Sequence, residues 1–171
     1  MRAMVAVSVL ALAAGCQSIP ADAPKASASL QPTKGSSVRG TVAFVQIGDK
    51  VRVTANVGGL KPSGQFGFHI HEAGDCGSGD GMSAGGHFNP LGKPHAPPST
   101  VDRHAGDMPM LEAGASGDAS LTAELDVITI GGGAADVVGK GVIVHKDADD
   151  FKTQPTGNSG ARVACGVIRR S

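Results

Sequence analysis

The 171-residue chain has no tryptophan or tyrosine and only 5 phenylalanines. Its 15 basic and 15 acidic residues give a formal net charge of zero, so nothing in the bulk charge suggests binding to nucleic acid or to an acidic membrane surface. No segment shows sustained helical periodicity. The chain is instead rich in glycine and proline, with 26 and 10 residues. This composition predicts one domain of short strands joined by many turns.

The first 15 residues have the pattern of an export signal. Arg2 gives a minimal basic start, and the apolar run at 3–14 is too short to span a bilayer. The run leads into the sequence LAAGC, which ends at Cys16. This is typical of a bacterial lipoprotein signal peptide, in which residues 1–15 are removed and Cys16 is lipidated. The alternative is an ordinary export signal in which Cys16 has no special role.

Export predicts the periplasm, with a membrane anchor at Cys16. Gln17 follows the cysteine where an aspartate would be expected for inner-membrane retention, which indicates the outer membrane if the host is Gram-negative. We expect residues 16–24 to form the lipidated cysteine and its tether, and residues 25–171 to form the single domain.

The two remaining cysteines are expected to pair. With Cys16 assigned to lipid, Cys76 and Cys165 are two thiols in an oxidising compartment. A disulfide between them would close a loop of 89 residues (165 − 76), which the chain-entropy model values at roughly 4–5 kcal/mol. The alternative, thiolate ligands for a metal, is less favoured because histidines already fill the local ligand set.

Alternation of apolar and polar residues predicts about eight strands, most clearly at 51–57. The pair Gly48-Asp49 before that strand is a hairpin signal. In the last strand Val163 and Val167 are predicted to face inward. About eight antiparallel strands in one domain predict an all-β sandwich or flattened barrel with two long loops. The predicted strands lie at 25–31, 38–46, 51–57, 65–72, 108–112, 121–127, 142–145 and 162–168.

Histidines dominate the stretch from residue 67 to residue 107, which holds five of the six in the chain. His69 and His71 are two residues apart on a predicted half-buried strand, so they share its outward face and could chelate one metal ion. The sixth, His145, lies on the outward face of another strand. These three side chains would hold a metal outside the barrel, under the long loops.

A second group of ligand-type residues follows in one loop rich in glycine and proline. A loop of this length is usually functional or disordered, and we expect a metal to order it. Three imidazoles and a carboxylate make a closed tetrahedral set that suits structural zinc. Imidazoles on a rigid sheet with an exchangeable position suit copper. The loop residues are His87, His95, His104 and Asp107.

Six segments together resemble bacterial copper/zinc superoxide dismutases, over roughly residues 25–169. They are GFHIHE (67–72), AGGHFNP (84–90), the spaced His95, RHAGD (103–107), VIVHKDADD (142–150) and GNSGARVACGVI (157–168). The resemblance implies a Greek-key sandwich with one copper and one zinc per chain. It also implies dismutation of superoxide to dioxygen and hydrogen peroxide, as an antioxidant defence in the cell envelope.

The resemblance also assigns roles to individual residues. His87 would bridge the two metals and carry a proton. Arg162 would hold the anionic substrate beside copper as a permanent charge, and Asp149 would orient His69 and His95. The implied copper ligands are His69, His71, His87 and His145. The implied zinc ligands are His87, His95, His104 and Asp107.

Two other classes of function compete with the enzyme. A non-enzymatic copper or zinc carrier of the same fold would be favoured by loss of a copper ligand or of Arg162, and neither is lost. An adhesion domain would leave the histidines unexplained. Lys146 and Lys152 are candidates for steering the substrate but are more simply solvated charges. The sequence leaves both monomer and homodimer open.

Overall fold

The computed structural model describes residues 20–171, so the predicted signal peptide at 1–15 and Cys16 lie outside the described residues. Within the described range, no helix is long and apolar enough to cross a membrane. The one helical element there is a 3-10 turn at Met82–Ala84. The strands are β1 (Lys25–Pro32), β2 (Arg39–Ile47), β3 (Lys50–Gly58), β4 (Gln65–Phe66), β5 (Phe68–His71), β6 (Leu111–Glu112), β7 (Ala119–Leu125), β8 (Gly141–His145), β9 (Arg162–Val167) and β10 (Arg169–Arg170).

The strands form one curled antiparallel sheet and a small two-stranded one, which confirms the predicted all-β class. The order in the main sheet is β5-β8-β9-β1-β2-β3-β7, and β10 also pairs with β1. Strand β1 lets the sheet curl because it changes partner along its length. Its residues 25–30 pair with β2, whereas Gln31 and Pro32 pair with β9. The small sheet contains β4 and β6.

The core follows from the alternation along β2 and β3. Val53 on β3 lies opposite Phe44 on β2, and both side chains are fully buried. The predicted hairpin between these strands is present, because Ile47 pairs with Lys50 across the two-residue turn. Gly48 begins that turn with a left-handed φ of 60°, a conformation that glycine adopts without steric cost.

Two local predictions about strands are wrong. The predicted strand at 65–72 is divided at Gly67, which instead pairs with the segment after β8: its N–H donates to the Asp147 carbonyl at 2.8 Å. In β9 the inward prediction is right for Val163, which packs against the core, and wrong for Val167. Ala164 is fully buried in the core, whereas Val167 is half-buried and lines an outer depression beside Arg169. When a loop covers part of the outer face of a strand, a valine can lie on that face. In the sequence it gives the same apolar signal as a core residue.

Candidate metal centre

Strand β5 is buried on both faces, so the prediction of a half-buried strand is wrong. His69 and His71 have no exposed surface, like Phe68 and Ile70 on the opposite face. The cause is the β5–β6 loop, which folds back along the strand. The Ile70 N–H donates to the Gly106 carbonyl at 2.9 Å, and the Phe88 N–H donates to the Ile70 carbonyl at 2.8 Å.

Gly106 is required by this close approach. A Cβ atom at position 106 would collide with the Ile70 carbonyl oxygen and lie 3.0 Å from the Phe88 nitrogen. The absence of a side chain therefore lets the loop backbone pair closely with the edge of β5.

The first cluster of ligand-type atoms contains four imidazoles. Hydrogen bonds define the tautomers of two of them. The Nδ1–H of His71 donates to the Gly85 carbonyl at 2.9 Å, and the Nδ1–H of His145 donates to the Gly160 carbonyl at 3.3 Å. Both Nε2 atoms are thus left with free lone pairs, and they lie 3.3 Å apart. The ligand atoms of His69, His71, His87 and His145 lie within 4.8 Å of one another.

The same cluster contains two buried nitrogens that have no hydrogen-bond partner within the described residues, His69 Nδ1 and His87 Nε2. The other nitrogen of His69 is used, because Nε2 lies 2.6 Å from Asp149 Oδ2. Buried polar atoms without partners are rare and costly. A metal ion that accepts four imidazole lone pairs would satisfy them, and such a donor set suits copper.

The second cluster is built around the carboxylate of Asp107. Its Oδ1 lies 3.0 Å from His87 Nδ1 and 2.9 Å from His95 Nδ1. Its Oδ2 accepts backbone N–H groups of Ala96 and His104 at 3.1 Å each. Three imidazoles and one carboxylate form the closed set that suits zinc. The ligand atoms of His87, His95, His104 and Asp107 lie within 4.8 Å of one another, and all four residues are buried.

His87 belongs to both clusters. Its Nδ1 faces the carboxylate of Asp107, and its Nε2 is the unpartnered nitrogen of the four-imidazole cluster. The ring centroids of His87 and His69 are 4.0 Å apart. One imidazole ring is therefore placed between two sets of metal-ligating atoms, with one nitrogen toward each.

Asp149 contacts one ring of each cluster. Its Oδ2 lies 2.6 Å from His69 Nε2, and its Oδ1 lies 2.9 Å from His95 Nε2. The backbone N–H of Phe151 also donates to Oδ1, at 2.7 Å. Burial alone would raise the pKa of Asp149, but these hydrogen bonds outweigh it and lower the pKa well below its usual value. The carboxylate is therefore ionised and accepts both imidazole N–H groups.

Burial keeps most of these imidazoles neutral. It lowers the pKa of His87 to about 4 and that of His145 to about 3, and it also lowers the pKa of His71. His95 differs: burial acts to lower its pKa, but the hydrogen bonds that its ring donates to the carboxylates of Asp107 and Asp149 together outweigh burial and raise the pKa to about 9. Neutral imidazoles in the first cluster have their lone pairs free for a metal.

Arg162 lies at the edge of the four-imidazole cluster. Its two terminal N–H groups donate to the carbonyls of Gly81 and Gly85, at 2.6 Å each. The Gly85 carbonyl also accepts the Nδ1–H of His71, so one backbone oxygen connects the arginine to a ring of the cluster. The charge of Arg162 reaches the cluster, because it lowers the pKa of both His71 and His145.

Cys76 and Cys165 form the predicted disulfide, with their Cα atoms 5.8 Å apart. The alternative, thiolate metal ligands, is thereby excluded for this state of the protein. The bond connects β9 to the start of the β5–β6 loop, beside the buried residues Ala84 and Ile143. It thus fixes the loop segment whose carbonyls hold Arg162.

The orienting carbonyls of Gly85 and Gly160 were not predicted from the sequence. A backbone oxygen has no side-chain signature, so the only signal in the sequence was that both residues are glycines. In the structure their φ values are 72° and 73°. Lys146 and Lys152 are exposed and supply no atom to either cluster.

A family model described as copper/zinc superoxide dismutase matches residues 38–168. The chain belongs to the copper/zinc superoxide dismutase family. It is 42% identical over 135 residues to an extracellular superoxide dismutase [Cu-Zn] of Haemonchus contortus, over 75% of this chain and 72% of the relative. The predicted family and its oxidoreductase class are thereby confirmed, whereas the lipoprotein form stays a prediction.

Solved structures agree with this membership. The clock protein EA4 has a TM-score of 0.77 at 38% identity, over 85% of this chain and 93% of that one. A double mutant of a SOD-like protein from Bacillus subtilis has a TM-score of 0.76 at 36% identity, over 84% of this chain and 96% of that one. This superoxide dismutase family member thus shares its fold with both.

Proposed function

We propose that this protein dismutates superoxide with copper held by His69, His71, His87 and His145, and with zinc held by His87, His95, His104 and Asp107. The observation that carries the proposal is the position of His87. One buried ring directs Nδ1 toward a set that suits zinc and an unpartnered Nε2 toward a set that suits copper.

Copper, when bound, supplies one-electron redox chemistry, and zinc supplies a fixed positive charge that lowers the proton affinity of its ligands. The reaction converts two superoxide ions and two protons into dioxygen and hydrogen peroxide. His87 is our candidate for one of these protons, a role supported by its buried Nε2, which has no hydrogen-bond partner among the described residues. We propose that Nε2 holds a proton in one half of the cycle and gives it to the peroxide product.

Arg162 would bind the substrate anion. Its guanidinium is permanently charged and is fixed by two carbonyls at 2.6 Å. Only two of the five N–H groups of an arginine are needed for these bonds, which leaves donors for a small anion. Asp149 would keep the rings of His69 and His95 in orientation for the two metals.

The test is superoxide decay after pulse radiolysis, followed at increasing ionic strength. The protein loaded with copper and zinc should accelerate decay, and the rate should fall with salt because exposed charges are screened. An Arg162→Gln variant should be slower and less sensitive to salt. Arg52→Gln, which breaks a pair with Glu124 on the opposite part of the sheet, should change neither. Decay no faster than with the zinc-only protein would favour metal carriage.

We further propose that the protein works in the cell envelope as an antioxidant defence, exported by residues 1–15 and anchored through lipid on Cys16. The apolar run and the sequence LAAGC support this. Mass spectrometry of the protein from a bacterial host should find Cys16 as an acylated N-terminus in the membrane fraction. A Cys16→Ser variant that stayed in the membrane fraction to the same extent would contradict the anchor.

A further inference from the structure

Arg103 is a buried arginine in the β5–β6 loop, directly before His104. Its side chain is only 4% exposed. One terminal N–H donates to the Thr100 carbonyl at 2.6 Å, and the other donates to Asp126 Oδ1 at 2.6 Å. The hydrogen bond from Arg103 also lowers the pKa of Asp126. A charged side chain is seldom buried to this extent unless its partners are fixed.

The pair with Asp126 connects two separate parts of the chain. Arg103 belongs to the loop that supplies all four predicted zinc ligands, whereas Asp126 directly follows β7 on the barrel. Among residues 20–171, it is the only ion pair of a lysine or arginine that joins this loop to another element. Apart from the histidine pairs of the metal centre, the loop therefore has one ionic link to the barrel in the described range.

The loop segment before Arg103 has little other support. Val101 is 88% exposed, so it contributes almost no apolar burial. A cavity of 240 Å³ separates this segment from barrel residues, and its lining includes Ser99, Lys50 and Glu124. Because that space is lined mostly by polar groups, apolar packing does not hold the segment there. The guanidinium of Arg103 is the group that crosses to the barrel.

The chain next to Arg103 is itself part of the zinc-type cluster. The backbone N–H of His104 donates to Asp107 Oδ2, and the His104 ring lies with Nδ1 3.4 Å from Asp107 Oδ1. A shift of the backbone at Arg103 would therefore move both a ring and a hydrogen bond to the central carboxylate. Groups that orient the ligands of a metal ion affect its affinity even when they do not touch the ion.

We propose that Arg103 is a positioning residue, which acts through Asp126 to hold His104 in the geometry that retains zinc. The inference rests on the proposed zinc set. The ion pair of Arg103 and Asp126 slows the release of zinc and has no contact with superoxide.

The experiment measures zinc release from the folded, metal-loaded protein to the chromophoric chelator 4-(2-pyridylazo)resorcinol. Asp126→Asn is the main variant, because its side chain is 60% exposed and its replacement leaves the core intact. We expect release about tenfold faster than in the wild type, within the range known for outer partners of metal ligands. Asp126→Glu, which keeps the charge, should restore slow release to within about threefold.

The chain offers a matched control on the same loop. Lys93 and Asp102 form an ion pair at 2.7 Å, but neither side chain is buried, since they are 41% and 66% exposed. Exposed pairs contribute little, so Asp102→Asn should leave zinc release unchanged. Val53→Ala, in the core of β3, controls for a general loss of stability.

A spectroscopic reading separates positioning from stability. Cobalt(II) bound in place of zinc gives visible bands that depend on ligand geometry, and these should change in Asp126→Asn but not in Asp102→Asn or Val53→Ala. Unchanged release and an unchanged cobalt spectrum in Asp126→Asn would overturn the inference, as would equal acceleration by Val53→Ala. A wild type that bound no zinc would instead overturn the proposed function, and this inference with it.

Discussion

Asp149 connects the two clusters at the scale of a single residue, because its carboxylate accepts hydrogen bonds from His69 and His95. In Asp149→Asn one oxygen is replaced by an NH₂ group, which would face an imidazole N–H. We expect the affinity for both metals to fall by about 10–100-fold. Competition with a chelator, followed for copper and zinc separately, measures this. Asp147→Asn, two residues away and exposed, is the control, and equal affinities in both variants would contradict the role of Asp149.

Gly157 supports the same carboxylate through its lack of a side chain. A Cβ atom there would collide with Asp149 Oδ1 and lie 2.6 Å from His95 Nε2, and its φ is +67°. Gly157→Ala should therefore displace Asp149 and weaken zinc binding as the asparagine variant does. Gly92→Ala is the matched control, because Gly92 has a φ of +62° with nothing within 4 Å. It carries the same backbone strain of about 1 kcal/mol without the collision, so its zinc affinity should stay normal in the chelator titration.

At this scale the sequence predicted side chains far better than backbone groups. Spacing and residue type singled out His87 and Asp107, since few other roles require so many imidazoles in one stretch. The carbonyls of Gly85 and Gly160, which orient His71 and His145, depend on where two loops place their backbone. No periodicity in the sequence encodes that placement.

The disulfide acts at the scale of elements, because it fixes the β5–β6 loop to β9. A Cys76→Ser, Cys165→Ser double variant should lose about 4–5 kcal/mol of unfolding free energy, since the cross-link closes a long loop in the unfolded chain. Urea denaturation measures the loss. A reductant should destabilise the wild type by a similar amount and leave the double variant unaffected. Equal urea midpoints for the oxidised wild type and the double variant would contradict this.

Strand prediction succeeded where one face of a strand meets the core and the other meets solvent. This holds for β3, whose residues alternate between Val51, Val53 and exposed or half-buried neighbours. It failed at β5, where the pattern suggested an open face but the loop covers His69 and His71 completely. Alternation reports which residues are polar, and these two histidines are polar residues that are nevertheless buried.

The order of the strands belongs to the whole molecule, and alternation alone does not determine it. Strand β1 lies between β2 and β9, which are far apart in sequence, and β7 returns to pair with β3. The all-β class followed from composition and strand count, whereas the Greek-key arrangement was an implication of the family resemblance. Non-sequential pairing is decided by long-range packing, which short sequence windows do not contain.

Metal removal should reduce hydrogen-exchange protection more in some parts of the molecule than in others. Ions that bind only the folded state stabilise it by mass action, by about 4 kcal/mol when the ion is present at 1,000 times its dissociation constant. Chelation should therefore lower the melting temperature. The loss of hydrogen-exchange protection should concentrate in the β5–β6 loop, whose Phe88 amide donates to the Ile70 carbonyl of β5 and whose Gly106 amide donates to the Phe88 carbonyl. Amides of β3, such as Val53, lie in a core that contains no metal ligand.

Hydrogen exchange followed by mass spectrometry, with and without chelator, separates two descriptions of the protein. If the barrel is stable by itself and the metals order only the loops, protection at β1–β3 should be nearly the same in both states under native conditions. If the metals hold the whole fold together, protection should fall at Val53 as far as at Gly106. We expect the first result, because apolar side chains such as Leu30, Phe44 and Val53 are buried at 0–1% exposure without any contribution from the metal ligands.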